Sequence, residues 1–276
     1  MELVCAVLRT AGDAFLLSDR ATMLSMARSF GLAYTVAIPV LYRTLTVDKN
    51  NQSKLSKMFG EAQILSNAGG LFAIPSAQRL WRHVRRLFVE PAVHFPDMYL
   101  RHFINLQALY TFRPLTAARC GHLPTSSSLT HIYTLAAVVS PYSPQSTTHV
   151  SFYVGFHGQM GFQDIQALVN NSTTITHLAI ELGAPLSRER EKPLRDFLEA
   201  ITLRPSVELV AFRIYNEAVK DVHTVGMVRS AARAIHDPTH RVRLWLDRRL
   251  IEDIRDDINA SKEDAITGRT TWSEAE

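Results

Sequence analysis

The sequence predicts an α/β protein with a mainly parallel sheet and helices packed outside it. Three observations lead there. Seven short apolar or β-branched runs recur between residues 83 and 247, each followed by loop or helix. Most of them place apolar residues at i, i+3 and i+5, as in Val84, Leu87 and Val89, or Ile175, Leu178 and Ile180, or Leu209, Phe212 and Ile214. Between the later runs lie segments with apolar residues at helical spacing. Strand and helix alternating once per roughly 20 to 35 residues suits parallel strands, which need a crossover connection between them.

Taken in order, residues 1 to about 38 read as helical. Leu3, Val4, Val7 and Leu8 form one apolar face. Ser18 or Asp19 caps a second helix whose apolar face holds Met23, Leu24, Ala27 and Phe30. "GLAYTVAI" reads as a third, and Pro39 is expected to end it, because a residue before proline disfavours the α region. "VLYRTLTVDKN" (40–50) follows as a short strand and a polar turn.

The seven runs come next: "HVRRLFV" (83–89), "NLQALYTF" (105–112), "SLTHIYTL" (128–135), "HVSFYVGF" (149–156), "ITHLAIEL" (175–182), "VELVAFRIY" (207–215) and "RVRLWLD" (241–247). Taking Val84, Leu106, Leu129, Val150, Ile175, Leu209 and Val242 as starting points, the spacings are 22, 23, 21, 25, 34 and 33 residues. The first four fall within the leucine-rich-repeat period of about 20 to 29 residues. The Asn that usually follows a repeat strand is absent. Helices are predicted over "FQDIQALV" (Phe162, Ile165, Leu168, Val169 on one side), over "KPLRDFLEAI" (Leu194, Phe197, Leu198, Ile201, with Pro193 in the first turn), and over "LIEDIRDDI" (Leu250, Ile254, Ile258). In the tail "TGRTTWSEAE", Trp272 is expected to fold back onto the last run as a cap.

Composition bounds the function. In 276 residues, 46% are hydrophobic and 20% charged, enough for a sizeable core. A net charge of +4 is too small to argue for nucleic acid. Two distant cysteines, Cys5 and Cys120, are no disulfide framework, so a reducing compartment, cytoplasmic or nuclear, is expected. Glu2 before the apolar run Leu3 to Leu8, and Arg9 after it, do not make a signal peptide, and no run of about 18 apolar residues predicts a membrane span.

Catalytic and cofactor signals are sparse. Cys120 and His122 place a thiol and an imidazole together, but a zinc site needs four ligands. "GFHGQMGF" (155–162) joins a strand to a helix, as a phosphate loop would, yet lacks the Lys-Ser/Thr of a P-loop. Asp256-Asp257 read as a solvated helix face. The basic, Trp81-containing stretch 79–88 alternates as a half-buried strand would, sending Arg85 outward. No catalytic residue, cofactor, metal or nucleic-acid partner is expected.

The segment "ELVCAVL…LLSDRATMLSMARSFGLAYTVAIPVLYRTLTV" resembles the F-box-like segment of fungal, mushroom-type F-box and leucine-rich-repeat proteins. Glu2-Leu3, Leu24 to Phe30 and Pro39 to Thr44 fall on the motifs of that family's helices, although its leading Leu-Pro is missing. "HVRRLFV" and "THLAIEL" look like its repeats and "GRTTWSEAE" like its ending. The resemblance implies an F-box-like helical module over 1–45 and an irregular leucine-rich-repeat-like α/β solenoid over 46–276. It also implies a non-enzymatic substrate-recognition subunit of a cullin-type ubiquitin ligase. The first part would dock a Skp-type adaptor, on a surface of Leu3, Val4, Leu8, Leu16, Leu17, Leu24 and Pro39, and the second would bind a substrate protein. The alternatives are a repeat scaffold without ligase docking, and an enzyme using the Gly155–Gly161 turn.

Overall fold

Eight strands lie side by side in chain order, and every neighbouring pair is parallel. They are β1 (Thr44–Val47), β2 (Arg86–Val89), β3 (Ala108–Thr111), β4 (His131–Thr134), β5 (His149–Val154), β6 (His177–Leu182), β7 (Leu209–Ile214) and β8 (Val242–Leu246). The helices are α1 (Phe162–Asn171), α2 (Glu191–Thr202), α3 (Glu217–Lys220), α4 (Val222–Ala234), α5 (Ile254–Thr267) and α6 (Thr271–Glu274), with 3₁₀ turns at Asp97–His102 and Arg188–Arg190. Short helical stretches also cover 38–41 and 52–58. This computed structural model describes residues 38–58, 80–91, 93–111, 122, 129–134, 146–154, 161–215, 217–235, 241–247, 249, 254–267 and 270–274.

All seven predicted runs are strands of this one sheet, and the strand read in "YRTLTV" is β1. The 45/46 division falls inside β1. Pro39 does not end its helix: Tyr42 N–H bonds the Ile38 carbonyl at 3.0 Å, closing a turn across the proline. Proline removes only its own N–H and pre-sets a helical φ, so a turn that starts beside it can continue. The predicted turn follows β1. Asp48 Oδ1 accepts from the N–H groups of Asn50 and Asn51, and Asn51 Nδ2 donates back to the Thr46 carbonyl.

Register refines the periodic pattern. Leu45, Leu87, Leu109, Ile132, Val150, Leu178, Val210 and Val242 align across the sheet. From Leu87 onward the spacings are therefore 22, 23, 18, 28, 32 and 32 residues. Leu209 pairs with His177 and so faces away from Phe212 and Ile214; the member of its triplet is Val207, which is buried with them. A one-residue slip in reading a strand exchanges its faces, and the continuous run "VELVAF" hides which residue starts the alternation.

One face of the sheet carries the main core. Val150, Phe152 and Val154 of β5, Leu178, Ile180 and Leu182 of β6, and Val210, Phe212 and Ile214 of β7 pack against the buried sides of α1, α2 and α4. α1 and α2 bury the residues their spacing predicts. Burying each such side chain contributes about 1.5–3 kcal/mol, so this layer dominates the fold's stability. Nearer the start, Leu87, Val89 and Leu109 pack with Trp81, Phe95, Leu100 and Phe103, using loops and a 3₁₀ turn where later units use helices.

The C-terminal helices depart from expectation, for they pack on the opposite face. α5 meets β1 and β2, and α6 meets β6 and β7. Arg86 Nη1 donates to the Ala265 carbonyl, and Lys262 lies near Asp48 and Glu90. Trp272 does fold back, but onto β4 and β5 in mid-sheet and not onto the last strand. The reason is compositional: the second face carries Phe88, Tyr110, Tyr133, Ala179 and Ala211, an apolar strip that a small buried Ala265 and the broad Trp272 cover.

Candidate functional site

The second face holds the chemistry. Because β-strand side chains alternate, each row across it takes one residue from each strand. The row at the strand starts reads Arg86, Ala108, His131, His149, His177, Leu209. The next reads Phe88, Tyr110, Tyr133, Ser151, Ala179, Ala211, and a third contains Glu181, Arg213 and Trp245.

The three histidines form a ladder. Ring centroids are 4.1 Å apart from His131 to His149 and from His149 to His177, with the planes within 23°. Each histidine follows a threonine whose Oγ1 lies 2.7–2.8 Å from its Nδ1. The carbonyls of Gln107, Thr130 and Thr148 each already accept two backbone N–H groups, from Thr130 and His131, Thr148 and His149, and Thr176 and His177. A carbonyl offers two lone pairs, and the hydroxyl lies 3.4–3.5 Å away. Nδ1 is the nearer acceptor for the hydroxyl proton, and in that tautomer the neutral rings carry their own proton on Nε2. The Nε2 groups have no protein partner among the described residues and are not sealed from solvent. In that tautomer the ladder offers a row of N–H donors.

Burial, with the charges of His177 and Arg86, lowers His131 to about 4; burial, with His131 and His177 on either side, lowers His149 to about 3. Burial also lowers His177, against the opposing charge of Glu208. At neutral pH the ladder is uncharged. Stacked rings hold their nitrogens side by side, not converging, and no group of three or more His, Cys, Asp or Glu among the described residues is arranged for a metal. Trp272 stands edge-on to His149 at 5.0 Å and leans on Tyr133 at 5.4 Å; its Nε1 is buried without a partner. Tyr110 and Tyr133 stack at 4.0 Å, and burial raises both phenols.

Beside the aromatic strip lies a buried ion network. Arg213, 2% exposed, donates to Glu181 Oε2 at 2.9 Å and to Asp247 Oδ2 at 2.9 and 3.0 Å, with Asp264 of α5 at 3.7 Å. Its guanidinium also lies over the rings of Tyr215 and Trp245. Arg249 clamps Asp247 and Asp264, while Ser151 and Thr271 donate to Glu181 Oε1. Burial works against charge on Arg213, but the facing carboxylates raise it further above its usual range. Burial would raise Asp247, but bonds from Arg249 and the charge of Arg213 hold it below the usual carboxylate range. Every strong contact here is internal, so the network locks the C-terminal helices to the sheet.

Of the sequence-predicted site residues, only Pro39 is described; it is half-buried in the helical stretch 38–41, beside Ile38, Val40 and Leu41. Leu3, Val4, Leu8, Leu16, Leu17 and Leu24 lie outside the described residues, as do Cys120 and 155–160. His122 is an exposed turn residue. At the far end of the glycine-rich turn, Gly161 N–H donates to the Asp164 carboxylate at 3.0 Å, so a protein anion already occupies the start of α1. The ladder was missed, although a signal existed: "Thr-His" recurs immediately before Ile132, Val150 and Leu178. No helix among the described residues is long and apolar enough to cross a membrane. No family model and no curated protein matches the sequence.

Proposed function

We propose that the chain is a non-enzymatic protein-interaction module, a repeat-like scaffold whose partner is recognised at the histidine ladder. We further propose that it serves as the substrate-recognition subunit of a cullin-type ubiquitin ligase, docking a Skp-type adaptor through residues 1–45. One observation carries the first statement. The strands run in unbroken order, one face is filled by core, and the other face keeps a row of stacked imidazole rings in register, their Nε2 atoms without a protein partner among the described residues. Such a row suits polar groups on a partner's backbone or side chains. The ligase reading rests on the motifs at Glu2-Leu3, Leu24 to Phe30 and Pro39 to Thr44. Its test is co-purification of the full chain with the adaptor, comparing wild type with the double variant Leu3→Asp, Leu8→Asp after circular dichroism shows both folded. Unpaired charges in an apolar interface cost several kcal/mol, on the order of a thousandfold in affinity. Absence of wild-type binding would leave the scaffold without ligase docking. Equal binding by both would place the docking surface elsewhere.

A further inference from the structure

The last strand, β8, has a free edge: among the described residues only β7 pairs with it. The Arg241 carbonyl accepts from Val210 N–H and Asp247 N–H donates to the Ile214 carbonyl, so the odd-numbered residues of β8 turn their backbone toward β7. Val242, Leu244 and Leu246 therefore turn theirs outward. A groove of about 600 Å³ runs along this edge. Val228, Arg229, Ala232 and Arg233 of α4 form one wall, β8 the floor, and Glu274 of α6 stands at the other wall. The position is that of a ninth strand, between the helix layer and the C-terminal helices.

We propose that this groove binds an extended acidic peptide, which pairs with β8 as an added strand. The edge amides and carbonyls supply ladder bonds, the usual source of affinity in strand addition. Val228, Val242 and Leu246 supply an apolar lining. Charge selects the peptide's side chains. Arg229, Arg233 and Arg243 are exposed, and none has a partner among the described residues. Three arginines face one carboxylate, Glu274, which has contacts of its own. An acidic residue on either face of the incoming strand thus meets a guanidinium, α4's on one side and Arg243 on the other. A polynucleotide would engage the arginines but gains nothing from a strand edge or an apolar floor. The groove uses no residue of 1–45, so it stands or falls separately from adaptor docking.

The test is fluorescence anisotropy of the full chain with a labelled octapeptide alternating Glu and Val. Its partners are the Lys-Val counterpart, the same Glu-Val peptide N-methylated at alternate residues, and a single-stranded oligonucleotide of equal charge. The proposal expects the Glu-Val peptide to bind at least tenfold tighter than the Lys-Val and N-methylated forms. It also expects Arg229→Glu with Arg243→Glu to remove that preference, with the urea midpoint of the variant unchanged. No Glu-Val binding would overturn it and assign the arginines to keeping a bare edge from self-pairing. Equal binding of the N-methylated peptide would overturn strand pairing. Tighter binding of the oligonucleotide would replace the peptide by nucleic acid.

Discussion

Replacing Arg213 with methionine tests whether the buried ion network holds the C-terminal helices in place. Methionine fills much of the arginine's volume, so the change is chiefly one of charge and hydrogen bonding. Arg213 is 2% exposed, and three carboxylates lie within 4 Å of it. Asp247 and Asp264 keep Arg249 after the substitution, at 2.6 and 2.9 Å. Glu181 does not share that protection: Oε1 keeps Ser151 and Thr271, but Oε2 loses the guanidinium. One buried carboxylate is left half-solvated by the protein, and breaking such a pair costs about 3–5 kcal/mol. That is a large share of a typical total stability of about 5–15 kcal/mol. Urea unfolding at pH 7, followed by tryptophan fluorescence, reads the loss directly, since Trp245 and Trp272 border the network. Adding Glu181→Gln to the Arg213→Met variant removes the orphaned charge and is expected to return roughly half the loss. A loss below about 1 kcal/mol, or no recovery in the double variant, would show that water already solvates these carboxylates and that the network holds nothing.

Acid is expected to weaken the fold from about pH 6.5 downward. His131 and His149 are lowered in the folded state to about 4 and about 3, so the unfolded chain binds their protons first. Their contribution is complete above pH 6.5 and declines until the folded values are reached. After discounting for partial exposure, roughly 2 kcal/mol per histidine is at stake, and urea midpoints at pH 7, 6 and 5 should fall less in a variant carrying His131→Gln and His149→Gln. Long-range ¹H–¹⁵N spectra of the imidazoles should show the Nε2–H tautomer at His131, His149 and His177, and Thr148→Val should disturb that preference at His149 alone. Trp272→Ala should cost about 3–5 kcal/mol in urea unfolding, because the side chain is 9% exposed, leans on Tyr133 and stands edge-on to His149.

The strands were legible because each carries its own signal: β-branched and aromatic residues, a bounding turn, and a repeated apolar spacing. α1 and α2 were legible for the same local reason. What local pattern could not show was destination. Nothing in residues 254–267 says which face of the sheet they cover, because that depends on Phe88 and Tyr110, more than a hundred residues away, leaving an apolar strip open. The ladder was half-legible. The Thr-His dipeptides stand in the sequence, but their alignment needs the register, and taking Val150 as a starting point, where it pairs with Ile132 and not with Leu129, concealed it. Arg213, Glu181 and Asp247 carry no local signal that sets them apart from other strand charges; only the sheet puts them side by side.

The bond from Arg86 to Ala265 spans 179 residues, and it sets the order in which the molecule is completed. Each strand from β2 to β8 can dock on its predecessor as soon as it is made, since neighbours in sequence are neighbours in space. The second face of β2 cannot: its cover is synthesised after every strand of the sheet. At roughly 5–20 residues per second, Phe88 waits on the order of ten to forty seconds on the ribosome before α5 arrives. During that interval the aromatic strip is an exposed adhesive surface on a growing chain, and its protection falls to chaperones. A message truncated before residue 254 would yield a chain whose sheet can pair completely yet stays uncovered, a product bound for aggregation or degradation.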